Sequence, residues 1–139
     1  MNMKKNKKGF TLMEMLVVVA IIAVLVAIAI PVLSNNLHNA KVATDWANLR
    51  SYYAYLQADL IQTGERLDEI DGVPFSSNDH LYQPHTRIVY PDGTVIPMKI
   101  GTYYVTYSNT SGGYQIFYYC DKYLQPEHNK CELTLGEDK

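Results

Sequence analysis

Residues 15–33 read MLVVVAIIAVLVAIAIPVL, nineteen positions without one charged or strongly polar side chain. That length meets the requirement for a helix across the hydrocarbon core of a bilayer. Extended back to Phe10, the apolar segment reaches 24 residues, a helix of roughly 36 Å at about 1.5 Å per residue. Burying such a helix inside a soluble protein would need a core far larger than 139 residues supply. Upstream lie Lys4, Lys5, Lys7 and Lys8, with no comparable cluster on the other flank. This asymmetry places the N-terminus in the cytoplasm and sends the remainder outward.

The length allows one domain plus an accessory segment. The formal charge of −2 conceals an uneven distribution. The first nine residues hold four of the 12 basic residues and none of the 14 acidic ones, leaving eight against 14 in the body. A body that acidic has no general affinity for nucleic acid phosphates, and no local basic patch is evident. Cys120 and Cys131 are the only cysteines. An even number outside the cytoplasm suggests one disulfide, and a finger-like zinc site would need a second pair.

Beyond Leu33 there is no proline or glycine until Gly64. Val42, Trp46, Leu49, Tyr53, Leu56 and Leu60 recur at alternating intervals of four and three, one stripe on a helix. Asp45, Asn48, Arg50, Gln57 and Asp59 fall on other faces. One helix is therefore expected from about Phe10 to Thr63, ended by Gly64 and kinked or locally melted at Pro31. Residues 65–85 read as an irregular polar connector. From Thr86 the period changes to strands, with turns at PDGT and NTSGG. Tyr103, Val105 and Tyr107 share one strand face, and Tyr114, Ile116, Tyr118 and Cys120 share another. Pro97 marks an edge or interrupted strand, and a short strand is expected at 132–135. The expected fold is α+β: a long kinked N-terminal helix, transmembrane then amphipathic, packed on a small antiparallel sheet of three or four strands. Twelve tyrosines suit such a sheet, each offering a large ring and a polar tip.

The segment KGFTLMEML, followed by the apolar run with its late proline, resembles the N-terminus of the type IV prepilin and pseudopilin family. Lysines, Gly9, Phe10, Thr11, Leu12 and Glu14 match the family's processing motif. The resemblance implies that a prepilin peptidase cuts between Gly9 and Phe10 and methylates the new Phe10 amine. Residues 1–9 would then be a cleaved leader, 10–33 the transmembrane and filament-core half of the helix, and 34–139 a pilin-like globular domain. It further implies a single-pass subunit in the cytoplasmic membrane that an assembly platform and ATPase build into an extracellular filament. Its partners would be other pilins and copies of itself. An ordinary secretory signal is the rival, since Ala27-Ile28-Ala29 mimics a cleavage site. That rival leaves Glu14 and the amphipathic stripe without a purpose.

Glu14 is the only carboxylate before Asp45, and a lone one in an apolar segment costs several kcal/mol, on the order of a buried unpaired charge. In the family reading it attracts the Phe10 amine of a neighbouring subunit, with Pro31 a second feature of the assembly helix. The plainer reading is that Glu14 snorkels to the membrane interface. Cys120 and Cys131 match the family's C-terminal disulfide loop. His38, His80, His85 and His128 show no metal-ligand spacing and are expected at the surface. The acidic stretch Asp68-Glu69-Ile70-Asp71-Gly72, with Asp79 beyond it, lacks the alternating oxygen ligands of a calcium loop. No serine elbow, phosphate-binding glycine loop or paired carboxylates indicate an enzyme, and no cofactor is implied. A pilin is the expected function, and a pseudopilin of a secretion or DNA-uptake system the alternative.

Overall fold

A computed structural model describes residues 9–74, 83–110, 112–121 and 131–136. The N-terminal Lys4, Lys5, Lys7 and Lys8, together with Asp79, His80 and His128, lie outside them. The chain divides into two compact units, Met1–Leu37 and His38–Lys139.

Helix α1 spans Leu12–Thr63, 52 residues. It continues through Pro31 without a break, so the local melting expected there does not occur. Proline's fixed φ is helical, and the residue removes only one donor from the ladder. In the first unit every described side chain from Gly9 to Leu37 is exposed, including Val24, Leu25 and Ile28. This half is long and apolar enough to cross a membrane. Gly64, with φ +74°, ends the helix by donating its N–H to the Leu60 carbonyl at 2.9 Å, as a left-handed cap should.

Within the second unit, α1 buries His38, Val42, Asp45, Leu49, Tyr52 and Leu56. The spacing is the expected one, but the face is rotated. Val42, Leu49 and Leu56 are shared with the predicted stripe, whereas Trp46, Tyr53 and Leu60 form a half-buried flank. Asp45, assigned by its charge to another face, is fully buried.

Among the described residues the expected small antiparallel meander is present, and two two-stranded hairpin sheets accompany it. The largest joins β5 (Gly101–Ser108), β6 (Gly113–Cys120) and β7 (Leu133–Leu135) in that order. Its register sets Tyr103 opposite Tyr118, Val105 opposite Ile116 and Tyr107 opposite Tyr114, so the two predicted strand faces are one continuous inner face. Along β6, Tyr114, Ile116, Tyr118 and Cys120 are all buried. The hairpin of β3 (Arg87–Val89) and β4 (Val95–Pro97) turns at Pro91-Asp92-Gly93, where Asp92 accepts the Thr94 N–H at 2.8 Å. Strand β4 stops at Pro97, as that residue predicted, and the expected strand over 94–100 is correspondingly shortened.

The connector after α1 is not wholly irregular. β1 (Glu69–Ile70) and β2 (Val73–Pro74) pair across Asp71-Gly72, both with positive φ (50° and 73°). That is a two-residue hairpin of the type Asp-Gly favours. Ile70 thereby enters the core, and Asp71 pairs with Arg87 through a fork of bonds at 3.0–3.1 Å.

Tyrosine rings dominate this core. Tyr52 meets Tyr90 edge-on at 5.5 Å and Tyr103 at 6.2 Å. Their polar tips find partners, as burial demands. Tyr103 donates to the Arg87 carbonyl at 2.9 Å, and the Tyr114 oxygen accepts the Leu67 N–H at 2.6 Å.

Candidate processing segment and its support

Gly9 and Phe10, where processing is expected, sit at the start of α1. Gly9 and Phe10 precede the helix in non-helical conformation, and Phe10 is 82% exposed. A Cβ on Gly9 would meet none of the described residues within 4 Å. Thr11 then caps the helix. Its N–H donates to Glu14 Oε2 at 2.8 Å, and the Glu14 N–H donates to Thr11 Oγ1 at 3.3 Å. This reciprocal pair is a capping box, which satisfies two of the free donors at a helix start. Thr11 belongs to the motif, but membership of the motif alone gives it no physical role. The signal was present as Thr-x-x-Glu ahead of an apolar run.

Glu14 is therefore already engaged, by a group three residues away in its own chain. Phe10 stands next to that pair, so a cut after Gly9 would place a new amine beside a carboxylate with hydrogen-bonding capacity to spare. Pro31 lies in the same unit, within α1.

The second unit holds Cys120 and Cys131 bonded to each other, with Cα atoms 5.8 Å apart and both residues buried. The two described histidines, His38 and His85, do not behave as expected of surface groups. His38 is buried, its Nδ1 3.7 Å from Asp121 Oδ1. His85 is buried against the Tyr103 ring at 5.2 Å and bridges that residue through its backbone. Its imidazole pKa lies below the usual value because burial disfavours the charged form, while Asp71 pulls the other way. His38, Cys120 and Asp121 cluster within 4.8 Å. The disulfide takes the cysteine sulfur out of play, and two remaining donors are too few for a metal centre.

Asp45 is the support that composition concealed. Its carboxylate accepts the N–H groups of Lys99 at 2.6 Å, Ile100 at 3.1 Å and Gly101 at 3.3 Å, and the Tyr118 hydroxyl at 3.0 Å. Burial, and then the negative charge of Asp45, push the Tyr118 phenol far above its ordinary pKa, so it stays a donor. These bonds fix the link between β4, which stops at Pro97, and the first residue of β5.

The family model for the prokaryotic N-terminal methylation motif matches residues 4–30. Over 89 residues the chain is 35% identical to the type IV major fimbrial protein FimA of Dichelobacter nodosus, covering 55% of each chain. It thus spans about half the length of the curated relative it matches. No solved structure matches. Motif and relative together make the chain similar to the type IV pilins, over its N-terminal helix and over about half of its length respectively.

Proposed function

We propose that the chain is a structural subunit of a type IV pilus-like filament, cut between Gly9 and Phe10 by a prepilin peptidase and polymerised through α1. One observation carries this reading. The part of α1 up to Leu33 is continuously helical, apolar beyond Glu14 and exposed, yet opens with a capped carboxylate. A bilayer suits the apolar surface, and a bundle of identical helices suits both it and Glu14. Before assembly the subunit waits in the cytoplasmic membrane with its N-terminus inside. Afterwards it lies in an extracellular filament with other pilins, drawn there by an assembly platform and its ATPase. The fimbrial relative favours a pilin over a pseudopilin.

Electron microscopy of sheared surface fibres, with mass spectrometry of their subunit, tests the proposal. Long fibres whose subunit begins at a methylated Phe10 are the expected result. A processed subunit without surface fibres would indicate the pseudopilin. A mature N-terminus near Ile30, the product of an ordinary signal peptidase, would overturn both.

A further inference from the structure

The two sulfurs of the Cys120–Cys131 bond have different neighbours. A ring nitrogen of His38, the Cys120 sulfur and a carboxylate oxygen of Asp121 lie within 4.8 Å of one another, and Cys131 does not belong to that cluster. His38 is buried on α1, and Cys120 is buried at the end of β6. Asp121 follows directly, its N–H donating to the Ile100 carbonyl at 3.2 Å. Its carboxylate stands 3.7 Å from His38 Nδ1 and its side chain is 50% exposed, so water borders the cluster. Of the other described charged groups on the elements packed there, Lys41 and Lys99 are exposed. Asp45 is engaged by the Lys99, Ile100 and Gly101 N–H groups and the Tyr118 hydroxyl. A thiolate beside an imidazolium is stabilised. In thiol–disulfide exchange the sulfur with the more stable thiolate leaves faster, and its partner is the one attacked.

We propose that His38, with Asp121 behind it, makes Cys120 the leaving sulfur when an external thiol opens this disulfide. The incoming thiolate attacks Cys131 Sγ and forms a new S–S bond there. The Cys120–Cys131 bond breaks, and its electron pair goes to Cys120 as a thiolate beside the protonated His38 ring. A second external thiolate attacks the sulfur of the first and leaves with it as a disulfide. Cys131 is released as a thiolate and takes a proton from water. Two electrons pass from the external thiols to the protein. Closure of the reduced loop by an external disulfide retraces these steps, so the loop opens and closes through Cys131.

Two measurements on the full chain in detergent micelles test this. In the first, the chain reacts with glutathione, is quenched in acid and is mapped by peptide mass spectrometry. The mixed disulfide should sit on Cys131 in several-fold excess over Cys120, and His38→Gln should even the two sites. In the second, Cys131→Ser leaves Cys120 as a lone thiol, whose alkylation by iodoacetamide is followed against pH. Adding His38→Gln should raise the midpoint of that profile by about one pH unit, about a tenfold loss of thiolate at neutral pH. The midpoint for lone Cys131 in Cys120→Ser should not move with the same change. The glutathione map of the parent needs no substitution, so it reads the asymmetry even if a variant fails to fold. The proposal fails if the mixed disulfide forms on Cys120 or equally on both sulfurs, or if the Cys120 midpoint is the same with histidine and glutamine. It fails equally if glutathione leaves the folded chain unreacted, because no external thiol then opens the loop.

Discussion

Asp45 shows how one residue can set the geometry of a small domain. Buried without partners, its charge would be untenable. With three backbone donors and a phenol it ties α1 to the start of β5. Asp45→Ala leaves those donors buried and unpaired, so it should cost about 3–5 kcal/mol in denaturant unfolding of the full chain. Asp45→Asn keeps the shape and one acceptor and should cost about 2 kcal/mol, and Tyr118→Phe about 1 kcal/mol. Equal losses for Asp45→Asn and Asp45→Ala would mean that charge, not hydrogen bonding, holds the link. His85 gives the pH counterpart. Its folded pKa lies below the unfolded value of 6.5, so the unfolded chain takes up the proton first. The stability it contributes is complete above that value and is lost as pH falls through the folded pKa. His85→Gln should therefore flatten the stability profile below pH 6.5, relative to the parent measured beside it.

At the scale of elements, packing decides which strands exist. Gly101 is the tight point: a Cβ there would sit 2.4 Å from the Tyr118 ring, which is fully buried. Gly101→Ala must displace that ring and with it the bond to Asp45, a loss of about 2–4 kcal/mol readable by thermal unfolding. A melting point unchanged from the parent would show that the ring can move freely. The disulfide makes a separate contribution across an 11-residue separation. Thiol titration of the intact protein should find no free sulfhydryl, and reduction should cost about 3 kcal/mol. Strands β5, β6 and β7 were legible from alternation and turn residues, and the helix from its period and Gly64. What eluded the sequence were features decided by partners far along the chain. The buried face of α1 runs through Asp45 because its donors come from residues 99–101 and 118, more than fifty positions away. The β1–β2 hairpin was different, since Asp71-Gly72 announced it and only the acidic surroundings disguised it.

For the whole molecule the question is what Glu14 does, and the capping box divides it in two. One role is local: Glu14 completes the cap with Thr11, a job glutamine at the same position performs nearly as well. The other is the proposed assembly role, in which its charge neutralises an amine created by cleavage before Phe10. Glu14→Ala removes both, and should leave cleavage intact while abolishing or greatly reducing fibres. Glu14→Gln separates them, because it preserves the cap and deletes the charge. If charge pairing drives polymerisation, Glu14→Gln should be processed and methylated normally, retain its helix, and still fail to form fibres. If helix capping is what assembly needs, Glu14→Gln should give near-normal fibres and Thr11→Ala should be the deficient variant. Fibre yield by electron microscopy, normalised to processed subunit in the membrane, distinguishes the two. Abundant fibres from Glu14→Ala itself would remove Glu14 from assembly altogether.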